Sequence, residues 1–275
     1  MKYIGEHLLP GQLGHFLIVL SLIASLVATI AYFKAANATT PQDHDSWKKL
    51  ARAAFLVDAV SVLTTFGIIF FIIANHYHEY FYAWNHSDVS LNPKYLLSSI
   101  WEGQEGAFLL WTLWQSILGL VLIKTSKRFE APVMTVMSFA QFCLATLILG
   151  VYVFDLKIGS SPFLLTRHQF QDAPVFSALD YLKQPKIANG NGLNQLLQNY
   201  WMVIHPPVLF LGYASTIVPF AFAIGGLWKK DFGWTKQALP WSLFSGAIFG
   251  LGIMMGAAWA YESLTFCRYR AREPV

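Results

Sequence analysis

Along the chain, long apolar runs alternate with short polar stretches, and no run shows the strict every-second-residue alternation of a half-buried strand. Runs long enough to cross a hydrocarbon core of about 30 Å fall at roughly residues 13–33, 53–74, 106–123, 132–154, 206–228 and 239–259. Backbone groups in lipid have no water to bond, so each run is predicted to be a helix. The pattern predicts an all-α integral membrane protein of about six transmembrane helices, a single domain over residues 1–275, with a long outer loop between helices four and five. The first run continues toward a second span without a small-residue cleavage site, so it reads as a span and not as a cleaved signal.

The loops give a direction. Lys34, Lys48, Lys49 and Arg52 follow the first run, Lys124, Lys127 and Arg128 the third, and Lys229, Lys230 and Lys236 the fifth. The positive-inside rule places those three loops in the cytoplasm and both termini outside, as for a multi-pass protein of the inner (cytoplasmic) membrane. Seven of the eight histidines then fall outside or at that edge, with His44 alone inside. The outer loop, residues 155–200, holds Pro162, Pro174, Pro185 and Asn189-Gly190-Asn191-Gly192, which mark turns. Its Phe163, Leu164, Leu165, Phe170, Val175 and Phe176 suggest packing on the membrane surface.

Composition narrows the classes. Charged residues make up 12% of the chain and apolar ones 55%, with a mean hydropathy of +0.45, about half the charge that a water-soluble domain carries. The net charge of +4 is spread over short loops, so there is no basic face for nucleic acid, and the main partner is the lipid bilayer. Two cysteines, Cys143 and Cys267, build no disulfide framework.

Four features carry candidate chemistry. His205 precedes Pro206 and Pro207 where the outer loop enters the fifth run; proline suits the first helical turn and pushes the preceding residue out of helical geometry. His205 at a helix mouth is either a cap or an axial ligand to a haem iron lying along the outer face. Glu102 and Glu105, in Trp101-Glu102-Gly103-Gln104-Glu105-Gly106, lie three residues apart and so on one face of a helix, near Trp101, Phe108, Trp111 and Trp114. They are either solvated caps or carboxylates with a partner, a proton path or a cofactor. Asp58, within the second run, is an intramembrane partner or an inner-edge residue. Aromatic residues reach 16% with ten tryptophans; interface belts, including Tyr77, Tyr80, Phe81, Tyr82 and Trp84, or a cofactor wall of stacked rings account for them. In the last run, Gly246 with Gly250 and Gly252 with Gly256 suggest close helix packing.

The ordered motifs Asn92-Pro93-Lys94-Tyr95, Trp101 to Trp111, Leu193 to Asn199, His205 to Tyr213 and Trp259-Ala260-Tyr261-Glu262 resemble the N-terminal part of the CcmF/CcsA-type cytochrome c assembly proteins, the membrane haem lyases. The resemblance implies haem (b-type haem as substrate) handled outside the membrane, received as haem or on a haem-loaded carrier. It is presented to apocytochrome c in company with other cytochrome c maturation membrane proteins. It implies His205 as a metal ligand, with Trp101, Glu102, Glu105, Pro206, Pro207, Trp259, Tyr261, Glu262, Tyr269 and Glu273 at the haem. The end departs from the family pattern. Where the family has a tryptophan-rich segment, residues 260–275 are an altered remnant with Arg268, Arg270 and Arg272, and with Glu273 in place of Asp. Guanidinium groups in place of aromatic planes weaken edge packing of a porphyrin. The expectation is a fragment that binds haem without completing the lyase reaction. The competing classes are a transporter or proton-conducting subunit, with a polar path through Asp58, Glu102 and Glu105, and a non-functional remnant.

Overall fold

The computed structural model describes residues 3–263. In chain order the elements are α1 (Leu8–Ala36), α2 (Pro41–Ala74), α3 (Phe81–His86), α4 (Pro93–Ser98), α5 (Gln104–Thr125), α6 (Glu130–Leu149), the antiparallel hairpin β1 (Val151–Val153) and β2 (Leu156–Ile158), α7 (Thr166–Gln169), α8 (Pro185–Ala188), α9 (Tyr200–Lys229) and α10 (Trp234–Ser263). Six of these, α1, α2, α5, α6, α9 and α10, are long and apolar enough to cross a membrane.

Caps set the helix ends where hydropathy does not. α2 starts twelve residues before its apolar run, because the Thr40 hydroxyl accepts the Asp43 backbone N–H at 3.1 Å and Pro41 occupies the first turn. Its opening turns are polar. α6 stops at Leu149, not at residue 154, since Gly150 takes a left-handed φ of 75° as its C-cap and the chain turns into β1.

Two apolar cores are stacked along the bundle. One joins Tyr32, Phe55, Leu122, Phe129, Met134, Met137, Val218 and Phe222; the other joins Ile69, Ile73, Tyr80, Tyr82, Ile100, Trp101, Leu109 and Met202. Helix α10 packs along α9, where a Cβ on Gly252 would come within 2.9 Å of the Leu209 Cα and one on Gly212 within 2.8 Å of the Phe249 Cα. Gly246 and Gly250, expected to pack as well, face open space within the described residues.

The three basic loops come together at one end. Arg128 pairs with Asp231 at 2.8 Å, and the Lys229 ammonium donates to the Ala36 carbonyl at 2.6 Å. The N-terminal residues, the segments 75–103 and 150–199, and the end of α10 gather at the opposite, long-loop end.

Candidate functional site

Helix α9 begins at Tyr200, where the Asn199 side chain accepts the Trp201 N–H at 3.2 Å. His205 therefore lies in the second turn and not at the helix mouth, a correction to the sequence reading. Pro206 and Pro207 are inside the helix, so the carbonyls four residues earlier lose their N–H partners. Trp101 supplies the replacement: its indole N–H donates to the Met202 carbonyl at 2.9 Å. This bond ties the Trp-Glu-Gly-Gln-Glu-Gly segment to the proline-containing turn, and Trp101 is buried there.

The His205 ring is 4% exposed and faces α10, with the Trp259 ring edge-on at 5.8 Å and a backbone hydrogen bond to Gly252. It is enclosed by packed atoms between α9 and α10. Two hollows in the described residues lie elsewhere, one beside Tyr3, Arg167 and Phe176 and a small one among Ser21, Thr65 and Thr112. No group of three or more His, Cys, Asp or Glu residues that could hold a metal ion occurs among the described residues.

The end of α10 is stitched to the start of α9. Glu262 accepts from the Tyr200 hydroxyl at 2.9 Å and the Trp201 indole at 2.8 Å, and Asn199 donates to the Ser263 hydroxyl at 3.0 Å. Tyr261 points outward and is 66% exposed. Tyr269 and Glu273 lie outside the described residues.

The two carboxylates at the start of α5 do not share a helical face. Gly103 is the N-cap, so Glu105 stands in the first turn while Glu102 precedes the helix and holds the His86 Nδ1 at 2.6 Å. Beneath them the Tyr82 hydroxyl donates to the Ile100 carbonyl at 2.7 Å and accepts the Gly103 N–H at 3.1 Å. Burial raises the Tyr82 phenol well above its ordinary range. The sequence marks His86 only as a loop histidine. Its partner is sixteen residues away, and no periodicity connects them.

A half-buried aromatic face runs down the same three helices. Phe108 and Trp111 of α5, Phe210 and Tyr213 of α9, and Phe249 of α10 form a chain of rings, with Trp111 stacked on Tyr213 at 5.4 Å and Tyr213 against Phe249 at 5.0 Å. The rings flank α9 on the side between α5 and α10, and Trp101 lies near their long-loop end.

The loops fold into a hydrogen-bonded cap. Phe163 packs its ring over Gly14 of α1, and Phe176 packs on Tyr181 and Ile187. Tyr80 and Tyr82, expected in an interface belt, are 1% and 3% exposed. The Tyr80 hydroxyl donates to the His7 carbonyl at 2.7 Å and accepts the Gly11 N–H at 2.8 Å, and burial pushes its phenol up to about 12. Glu79 accepts the His7 backbone N–H at 2.7 Å, and burial raises its carboxyl. His78 bonds the Ala188 carbonyl through Nδ1 at 2.9 Å, and burial lowers its imidazole. Glu6 gathers Arg167 and the Tyr181 hydroxyl, both at 2.8 Å.

Asp58 is fully buried in mid-bundle. It accepts the Ser21 hydroxyl at 2.6 Å, with Gln141 alongside. These bonds run across the bundle, while Glu102 is engaged with His86, so the expected line from Asp58 to Glu102 and Glu105 is not formed by the hydrogen bonds present.

Three comparisons with known proteins agree. The family model described as cytochrome C assembly protein matches residues 101–269. The cytochrome c-type biogenesis protein CcmF of Haemophilus influenzae is 30% identical over 96% of this chain and 37% of its own length. That of Pseudomonas aeruginosa is also 30% identical over 96% and 37%. A solved structure described as a cytochrome c heme lyase CcmF shares the fold, with a TM-score of 0.71 over 98% of this chain and 39% of that one, at 19% identity. The chain thus spans a little over a third of the length of these relatives and is a multi-pass membrane protein. With more than half of its residues matched by that model, the chain belongs to the cytochrome c assembly protein family.

Proposed function

We propose that this chain serves cytochrome c biogenesis by holding haem as a substrate on the α5–α9–α10 face, near the long-loop end, for delivery to apocytochrome c. Haem arrives free or on a carrier, and other maturation membrane proteins are partners. In this reading the long-loop end and both termini lie on the outer side of the inner membrane. The carrying observation is the aromatic face of Phe108, Trp111, Phe210, Tyr213 and Phe249, a set of half-buried planes that suits a flat, apolar macrocycle better than it suits a closed core.

With α9 and α10 packed together, His205 does not fit axial ligation, because its ring is enclosed between them. Its ligand role in this reading requires the outer half of α10 to part from α9, against the Glu262 and Ser263 bonds. The test is purification in lipid nanodiscs with haem supplied, comparing bound haem and Soret position among wild type, Trp111→Ala and His205→Ala. Trp111→Ala is expected to lose most of the retained haem, and His205→Ala to shift the Soret band with retention partly kept. Equal haem content and identical spectra in all three would overturn the reading.

A further inference from the structure

The hairpin that follows α6 is at odds with a water-facing loop. Its register pairs Val151 with Ile158, Tyr152 with Lys157 and Val153 with Leu156, so Phe154 and Asp155 form the two-residue turn. Phe154 takes a φ of 54°, a left-handed conformation normally given to Gly or Asn in such turns and strained for a bulky side chain. That residue is 97% exposed, with Tyr152 at 67% and Leu156 at 66%. A strained backbone here holds an aromatic ring away from the protein.

The base of the hairpin is fixed at the end of a membrane-spanning helix. Gly150 and Gly159 both adopt left-handed φ, the Gly150 N–H bonds the Thr146 carbonyl at 3.2 Å, and the Ser160 N–H bonds the Leu147 carbonyl at 3.0 Å. A side chain at Gly159 would overlap the Leu147 carbonyl, so the return strand lies tight against the last turn of α6. The exposed stripe of α6, which includes Phe139 at 54% and Cys143, leads along the same helix to this point. Half-buried Thr146, Leu147 and Leu149 lead from that stripe to the exposed residues of the hairpin. Lys157, exposed opposite Tyr152, has the long apolar stem and charged head of a residue placed at a phosphate layer.

We propose that the β1–β2 hairpin is a membrane-interface finger whose Phe154, Tyr152 and Leu156 enter the headgroup–acyl boundary of the leaflet at the long-loop end, with Lys157 at the lipid phosphates. The finger anchors the end of α6 and the start of the long loop at a constant height against the bilayer. This inference does not depend on the proposed function.

The test uses the full chain in phosphatidylcholine–phosphatidylglycerol nanodiscs, with Cys143 and Cys267 replaced by Ala and single nitroxide labels on Phe154→Cys or Leu156→Cys. Phe139→Cys serves as the lipid reference and Asp172→Cys as the water reference. The finger predicts that the ratio of oxygen to nickel-chelate accessibility at 154 and 156 is several-fold above that at 172 and below that at 139, which lies mid-way along α6. A ratio at 154 and 156 equal to that at 172 overturns the proposal, as does shielding of both labels from both reagents. Elution as the same monodisperse particle as wild type establishes that each labelled variant is folded.

Discussion

The two ends of the bundle are closed by different chemistry. At the short-loop end Glu130, 2% exposed, takes Arg52 in a two-pronged bond at 2.6 and 2.7 Å and Lys48 at 3.0 Å, so formal charges hold α2 to α6. At the long-loop end the cap relies mainly on tyrosine hydroxyls, indoles and histidines directed at backbone carbonyls and at the carboxylates of Glu6, Glu79 and Glu102, with the Arg167 guanidinium also on Glu6. A charge clamp with short connections suits an end that only has to stay shut. A cap held mostly by directional hydrogen bonds around imidazoles is easier to open locally and sensitive to protonation.

The contrast breaks first at the clamp. Glu130→Ala leaves Arg52 and Lys48 facing each other without their shared anion, at a cost of about 2 kcal/mol, below the roughly 3–5 kcal/mol of a fully buried pair because Arg52 reaches water. Thermal unfolding in nanodiscs at low and high salt measures it; an unchanged midpoint would show that the clamp does not hold α2 to α6.

At the other end, Trp101→Phe strips the Met202 carbonyl of the donor that stands in for the missing proline N–H, a loss of roughly 1 kcal/mol. Pro206→Ala supplies a helical N–H to the same carbonyl. The double variant is therefore expected to lose less than the sum of the two singles. Additive losses would mean that the indole bond carries no weight.

The smallest effect is on pH. Burial depresses the His78 imidazole, so its folded-state affinity for a proton is below its unfolded one. The stability it contributes is present above the ordinary histidine range and is lost as pH falls through the depressed value. Glu79 has the opposite sign: its raised carboxyl contributes stability below the ordinary carboxylate range, lost as pH rises through the folded value. The protection of amides in residues 76–91 and 185–191, measured against their intrinsic exchange rates at each pH, is predicted to fall on acidification, and His78→Asn to flatten that limb. Equal slopes in the two proteins would assign the acid response to another group.

Much of this architecture could be read along the chain. Six apolar runs gave six spanning helices, since lipid leaves the backbone no other partner, and the basic loops met at one end. The boundaries were less legible. Thr40 and Gly150 end or begin helices through local bonds that a hydropathy window averages away, and Asn199 caps α9 six residues before His205. The proline rule placed His205 at a helix mouth because it assumes that an orphaned carbonyl is prohibitive. The Trp101 indole removes that objection from 101 positions away.

What the sequence determined by itself was the solvent of the protein, the number of its helices and the family it resembles, because hydrophobic length and motif order are properties of consecutive residues. The tertiary structure decided which polar groups meet. Glu102 with His86, Trp101 with Met202, Asp58 with Ser21 and the enclosure of His205 by α10 all depend on how separate segments fold together. A hydrogen bond works over about 3 Å, and no spacing along a chain specifies an approach of that kind between distant segments.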